Sequence, residues 1–372
     1  MKRIFLLVCA TALFVFPSFA QEKPEKPQKT FASTVEKTQK IDGFIPLYID
    51  RENGKVFMEI TRLNKEFLHL VSLPTGVGSN PLGLDRGQLG STRVVFFERA
   101  GNKILLVQPN YDYRATGDEK QKRSVEESFA RSVVWGFKIE AEENGKVLVD
   151  ATSFLIRDAH GVADRLNGAQ QGNYSFDESR SALYLPNTKG FPLNTEVEAT
   201  VTVSSSSTPK FLINQVAPMG KHVTVRERQS FVQLPDDKYT PRRFDPRTGA
   251  INISFYDYGT DINQDLEKRW IIRHRLEKKD PNAAVSEPVK PIIYYVDNGA
   301  PKAIQDALIE GASWWNQAFE AAGFKNAFQV KVLPADADPM DLRYNVINWV
   351  HRSTRGWSIR NAHARTSYSR PA

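Results

Sequence analysis

Cysteine is nearly missing from this sequence, with one residue, Cys9, in 372. Cys9 lies in an N-terminal apolar run that reads as removed, so the mature chain is expected to carry none. That excludes disulfides, thiolate metal sites and a cysteine nucleophile. Long hydrophobic runs are also lacking. After the N-terminal run, no stretch reaches the roughly 20 apolar residues that a membrane helix needs. A strong excess of one charge is missing too. Lys and Arg number 50 against 43 Asp and Glu, a formal charge of +7. Part of that excess sits at the two chain ends. No Lys/Arg stripe interleaves with aromatics, so no nucleic-acid partner is expected. Histidine is sparse, with six residues: His69, His160, His222, His274, His351 and His363. No two are four apart, so the His-Glu-x-x-His helix that brings two imidazoles to one zinc is absent. A zinc site gathered from distant histidines remains the alternative to isolated, hydrogen-bonded ones. The sequence offers no catalytic, cofactor-binding or metal-ligating residue.

The N-terminus has the order of an export signal. Lys2 and Arg3 are basic, Ile4 to Phe16 is apolar, and Ser18-Phe19-Ala20 places small residues where a signal peptidase cuts. Residues 1–20 are therefore expected to be a signal peptide cleaved after Ala20, giving a periplasmic or secreted protein. Val8 before Cys9 argues against lipid attachment there. Residues 21–40 are charged, Pro-containing and poor in large apolar side chains, and read as a flexible leader.

Residues 41–260 read as a β-rich region. Asn53-Gly54, Ala100 to Asn102 and Asn144-Gly145 each separate two β-prone runs, the strongest short hairpin signal. Neighbouring hairpins of this kind predict a sandwich or curved antiparallel sheets. Short helices are expected near Val125 to Arg131 and Gly161 to Leu166. Residues 261–290 read as a Pro-bearing connector. Pro291 to Val296 is then a short apolar strand. Pro301 opens a helix whose apolar face is Ile304, Ala307, Leu308, Gly311, Ala312, Trp315, Ala318, Phe319 and Ala322, closed by Gly323. Phe328 to Leu333 and Tyr344 to Val350 add two strands. Strand, helix, strand is a right-handed crossover, so at least two of these strands should be parallel. The fold class is thus α+β: a mainly-β region followed by an incomplete α/β unit.

Four motifs invite chemistry. The glycine-rich loop Thr75 to Ser91 lacks the Gly-Lys-Ser/Thr of a phosphate cradle, and reads as an irregular loop tied down by Asp85 and Arg86. The acidic run Asp336 to Asp341 lacks the glycine and distal glutamate of the twelve-residue calcium loop; a solvated turn and a calcium site are the alternatives. Ser204 to Ser207 has no elbow motif to activate a hydroxyl. Phe244 to Gly249 is a β-turn, with Pro246 presetting φ and Asp245 capping. Six tryptophans and twelve tyrosines could furnish a binding face, although most are expected in the core.

Several stretches in order, LGLDRGQLGSTRVVFFERAGNKILLVQPNY, RRFDPRTGAINISFYDYG, RWIIRHRLEKKDP, SEPVKPIIYYVDNGAP, WWNQAFEAAGFKNAF and DLRYNVINWVHRSTRGWS, resemble a family of large exported bacterial zinc-dependent metalloproteases. Their catalytic domain is metzincin-like, related to the EcxA zinc-binding domain. The resemblance runs over roughly residues 40–358. It implies two accessory regions of unknown function ahead of a protease domain, with 291–358 as that domain's N-terminal half. It also implies zinc and a protein or peptide substrate in the full-length family. The zinc helix has no matching position here, so the resemblance implies a truncated member, inactive alone, with no zinc of its own. Residues 359–372 read as a frameshifted or non-native tail. The codons allowed from Ile359, read one base on, permit a peptide close to the family's continuation. The rival expectation is a secreted, non-catalytic β-rich binding module.

Overall fold

The computed structural model describes residues 30–236 and 238–353. The expected signal peptide with Cys9, the expected leader up to residue 29, residues 354–358, and residues 359–372 with His363 lie outside the described residues.

The first half runs α1 (Phe31–Val35), β1 (Gln39–Ile41), β2 (Leu47–Asp50), β3 (Lys55–Ile60), β4 (Phe67–Thr75), β5 (Leu89–Ala100), β6 (Lys103–Gln108), β7 (Tyr113–Arg114), α2 (Glu119–Ser128), β8 (Ser132–Glu143) and β9 (Lys146–Asp150). Then come α3 (Thr152–Leu155), α4 (Val162–Gly168), β10 (Tyr174–Phe176), β11 (Ala182–Leu183), β12 (Lys189–Gly190), β13 (Asn194–Ser205), α5 (Phe211–Val216) and β14 (His222–Gln233). The chain continues as β15 (Asn252–Asp257), β16 (Glu267–Ile271), β17 (Ile292–Val296), α6 (Lys302–Ser313), α7 (Trp315–Ala321), β18 (Phe328–Val332) and β19 (Asn345–Ile347).

The fold is mixed α+β, and one antiparallel sheet dominates it. Its 13 strands follow the order β1-β2-β3-β9-β8-β6-β5-β4-β14-β13-β10, with β11 and β12 also pairing β13. The hairpin turns explain much of this order. At the β8–β9 turn both Asn144 (φ 49°) and Gly145 (φ 77°) take the positive φ that a type I′ turn requires. The β2–β3 turn is longer than the Asn53-Gly54 pair implied. Asp50 pairs with Lys55, and the Asp50 side chain accepts from the Asn53 N–H at 3.0 Å.

The sheet curls until its two ends meet. The Ile45 N–H donates to Thr195 Oγ1 at 2.9 Å, and the same hydroxyl donates back to the Ile45 carbonyl at 2.9 Å. The Phe44 N–H donates to the Phe191 carbonyl at 3.0 Å. Backbones touch at this seam. A Cβ on Gly190 would sit 1.8 Å from the Asp42 carbonyl oxygen, so only glycine fits. The concave face packs Leu47, Met58, Phe67, Phe97, Phe137 and Phe231 around Phe154 of α3. A second apolar cluster, with Leu73, Leu84, Leu166, Val201 and Val225, lies under α4 and α5.

Two smaller sheets complete the fold. One has the order β16-β15-β7. Its strand β16 falls in the segment expected to be a connector, 261–290. The other has the order β18-β17-β19, and every pairing is parallel. The strand, helix, strand, strand sequence expected from residue 291 is therefore present.

Several expectations need correction. The leader is structured from Thr30, whose side chain caps α1; Phe31 is buried with its ring edge-on to Tyr48 at 5.9 Å, and β1 pairs β2. An apolar anchor and a cap outweigh the polar composition. The helix expected near Val125 to Arg131 begins earlier, at Glu119, because Asp118 accepts the N–H groups of Lys120 and Gln121. The single helix expected from Pro301 is split at Trp314 and buries no residue. Of its expected inner face, Ile304, Leu308, Ala312 and Phe319 are half-buried, with Phe319 stacked on Phe328 of β18, while Ala307, Gly311, Trp315, Ala318 and Ala322 are exposed. The last strand is shorter than Tyr344 to Val350.

The seam yields a stability prediction. Thr195→Val keeps the side-chain shape but leaves the buried Ile45 N–H and C=O without partners. It is expected to lower unfolding free energy by about 1–3 kcal/mol in urea titration, while Thr195→Ser loses less. A Val variant as stable as its parent would show that the seam is not held there.

Candidate functional site

The residues singled out in the sequence are dispersed. His69, on β4, is fully buried, with Nε2 3.0 Å from Gln229 Oε1. Gln229 spends its amide N–H groups on the Phe154 and Leu155 carbonyls, so its oxygen accepts and His69 carries its proton on Nε2. His160 lies in the α3–α4 connector beside Gly90. His222 Nδ1 is 2.8 Å from Ser204 Oγ. His351 packs edge-on against Trp349. Among the described residues no three of His, Cys, Asp and Glu are placed to hold a metal ion. His69, His160, His222 and His351 each face a different neighbour and do not converge on one point.

Ser204 does come close to a histidine and an acid, but in the wrong order for a nucleophile. Its hydroxyl donates to Asp177 Oδ2 at 2.6 Å, so toward His222 it can only accept. The imidazole is a donor there and cannot withdraw the serine proton. Hydrogen bonds from Ser179 first, then Ser204, hold the Asp177 carboxyl below the usual range.

The other two motifs join the parts of the chain. The glycine-rich loop takes positive φ at Gly78, Gly83 and Gly87 and buries Leu82 and Leu84. Asp85 pairs with Arg352 at 2.9 Å, and Arg86 reaches Asp297 at 3.3 Å and the Trp349 carbonyl at 3.1 Å. The acidic run is a docking strap. Asp338 pairs with Lys189 at 2.6 Å, the Met340 carbonyl accepts from Asn194 at 2.9 Å, and Asp341 holds Arg343. Two of its three carboxylates, Asp338 and Asp341, are directed to cations of the chain.

Sequence reading missed the concavity that the seam creates. A pocket of about 440 Å³ opens at the mouth of the curled sheet. Phe44, Ile45, Ile60, Phe67 and Phe97 line its floor. The Phe67 ring lies 6.0 Å from Phe44 and 5.0 Å from Phe97, so the floor is one continuous aromatic surface. The polar rim is Glu59, Thr61, Arg62, Lys65, Glu66 and Asp236. Its volume falls in the range of small-ligand sites, and polar and apolar residues contribute equally to its lining. No local sequence signal marked it: the aromatics of LYID and VFMEI, Tyr48 and Phe57, pack with Phe31 in a different cluster, and the strand order that gathers Phe44, Phe67 and Phe97 was not readable.

A second groove, of about 470 Å³, separates the main sheet from β7 and β15, and polar residues such as Asn110, Asp112 and Ser254 line it. The aromatic rings beside it stack on one another. The Tyr113 ring lies parallel to Phe129 at 4.0 Å between centroids, and 5.7 Å from Tyr256. Those faces are used within the fold, locking the small sheet to the end of α2.

The model of the family described as Domain of unknown function (DUF5117) matches residues 87–279, more than half of the chain. The chain belongs to this family. No curated protein and no solved structure matches it. The DUF5117 span takes in β5 to β16 and so contributes Phe97 and Gln233 to Asp236 to the mouth pocket, while the rest of the lining comes from residues 44–67.

Burial gives His69 a measurable role. It pushes the imidazole pKa down to about 4, and the nearby charges of Arg93 and Arg157 add to the effect, against the hydrogen bond to Gln229. An unfolded histidine titrates near 6.5. Between those values the unfolded chain takes up a proton that the folded chain refuses, so stability is full above about pH 6.5 and falls as pH drops toward 4. Glu227 works the other way. Burial first, and the neighbouring Asp158 carboxylate second, raise its pKa well above the ordinary range, so its contribution weakens as pH rises. Comparing parent and His69→Gln in urea at pH 7 and pH 5 cancels the Glu227 contribution. The parent should lose on the order of 2 kcal/mol more than the variant. Equal losses would mean that His69 is protonated in the fold.

Proposed function

We propose that this DUF5117 chain is an exported, non-catalytic β-rich binding module whose ligand seats in the mouth pocket. The observation that carries the reading is the pocket itself: an aromatic floor with a polar rim, built by closure of the sheet. Two further features support it. The described residues hold no metal-donor cluster, and the one serine beside a histidine is held as a donor to a carboxylate. No helix among the described residues is long and apolar enough to cross a membrane. The basic, apolar, small-residue order of residues 2–20 supports a periplasmic or secreted location.

A second reading treats the chain as the front part of a secreted zinc metalloprotease, inactive alone. The parallel unit from β17 to β19 favours it. The α6–α7 layer keeps Trp314 65 % and Trp315 59 % exposed, an apolar surface that a further layer would cover.

A neutral apolar fluorophore, N-phenyl-1-naphthylamine, tests the first reading. It should bind the parent with micromolar affinity, and Thr61→Trp, which fills the rim, should weaken it by about tenfold or more. Absence of binding, or binding that ignores Thr61→Trp, would overturn the pocket's role. Metal analysis of the purified chain settles catalysis separately: about one tightly held zinc per chain, with chelator-sensitive casein cleavage, would refute a non-catalytic module.

A further inference from the structure

The charges around the mouth are not balanced, and the imbalance names a ligand. Each acid on the rim is already engaged. Glu59 accepts from the Tyr48 hydroxyl at 2.7 Å and pairs with Lys146 at 3.2 Å. Glu66 accepts from the Tyr111 hydroxyl. Asp236 pairs with Arg275 at 2.6 Å. The two cations have no such partner. Among the described residues neither Arg62 nor Lys65 meets a carboxylate. Arg62 is also held over the floor, with its guanidinium carbon 5.5 Å from the Phe44 ring centroid. A ring face attracts a cation but leaves the N–H edge of the guanidinium free to donate. Apolar surface below and two unmatched cations above call for a molecule with both properties.

We propose that the mouth pocket takes an amphipathic carboxylate of the fatty-acid type, its chain on Phe44, Phe67 and Phe97 and its carboxylate between Arg62 and Lys65. The assignment rests on the binding-module reading and adds the ligand class. A planar carboxylate matches the guanidinium fork in a bidentate, charge-assisted pair. An amphipathic cation would meet Arg62 and Lys65 as like charges, and of the rim acids Glu59 and Asp236 are already paired with cations of the chain. A neutral alcohol of equal length keeps the apolar contact and forgoes the ion pair.

Calorimetric or fluorescence-displacement titration with decanoate, decanol and decyltrimethylammonium separates these cases in one chain length. Decanoate should bind about tenfold tighter than decanol, and the ammonium should bind weakest. Arg62→Gln and Lys65→Gln should each weaken decanoate about three- to tenfold and leave decanol unchanged. Both side chains are exposed, so the folded state should survive the change, and unchanged urea midpoints confirm it. Raised salt should erode the preference for decanoate. Equal binding of decanoate and decanol, or a double variant that binds decanoate like the parent, would remove the carboxylate assignment and leave the binding module standing. Failure of all three ligands and of the neutral fluorophore would remove both.

Discussion

The Thr195 hydroxyl accepts from the Ile45 N–H and donates to the Ile45 carbonyl, and this pair of hydrogen bonds closes the main sheet. A long, strongly twisted sheet left open presents two edges with unpaired backbone groups. Here a side chain satisfies the backbone at the point where the ends meet, beside the backbone bond from the Phe44 N–H to the Phe191 carbonyl. The contact is close enough that Gly43 and Gly190 face each other without side chains between them; a Cβ on Gly43 would lie 2.8 Å from the Gly190 Cα. Closure also shapes the mouth pocket. Phe44 and Ile45 belong both to the seam and to the pocket, so the pocket exists only while the seam is made.

A buried polar layer divides the interior into two cores. Gln229 and Glu227 project from β14 onto the connector between α3 and α4. Gln229 donates to the Phe154 and Leu155 carbonyls, and Glu227 Oε2 accepts from Ala159 and His160 at 2.7 and 2.9 Å. Asp158 accepts three N–H groups at the start of α4. The connector crosses the inside of the sheet with irregular backbone, and each polar backbone group it brings must find a partner. The inward glutamate and glutamine supply them. Buried polar groups of this kind fix one arrangement where an apolar core would accept several. Phe154, packed on Phe137, Phe231 and Trp135, is positioned by the same contacts.

The hairpins were legible because their signals are local. Asn144-Gly145 adopts the positive φ that its residues favour, and Gly101 does the same between β5 and β6. Where a β-turn was expected at Phe244 to Gly249 the chain forms a short 3-10 helix, Pro246–Thr248, capped by Asp245 and closed by a left-handed Gly249. The parallel unit was readable from its strand–helix–strand period. What was not legible depends on pairs far apart in the chain. Ile45 and Thr195 are 150 residues apart, and nothing near either marks the other. His69, one of six histidines with no motif around it, became informative only when strand order placed it against Gln229 and Phe154. The helix from Pro301 shows the reverse failure. Its apolar period was real, but the sheet of β17 to β19 covers only part of that face, through contacts such as Phe319 on Phe328.

The seam and the C-terminal unit share one support. On one side of the β12–β13 turn, Gly190 and Thr195 hold the backbone around Asp42 and Ile45. On the other, Lys189 pairs with Asp338, Asn194 donates to the Met340 carbonyl, and the Leu342 N–H donates to Asn194 Oδ1. Asn194 is fully buried, so its amide cannot exchange these partners for water without cost. The segment 338–342 therefore braces the turn that closes the mouth. Any rearrangement of the parallel unit that draws this segment away removes partners from a buried asparagine, and the loss falls on the strand that carries Thr195. Coupling of this kind needs only two contacts on one rigid strand, and the registers of β12 and β13 provide that rigidity. The acidic run that first suggested a cation site thus acts through the chain's own lysine and asparagine, and it ties the pocket to the part of the molecule farthest along the sequence.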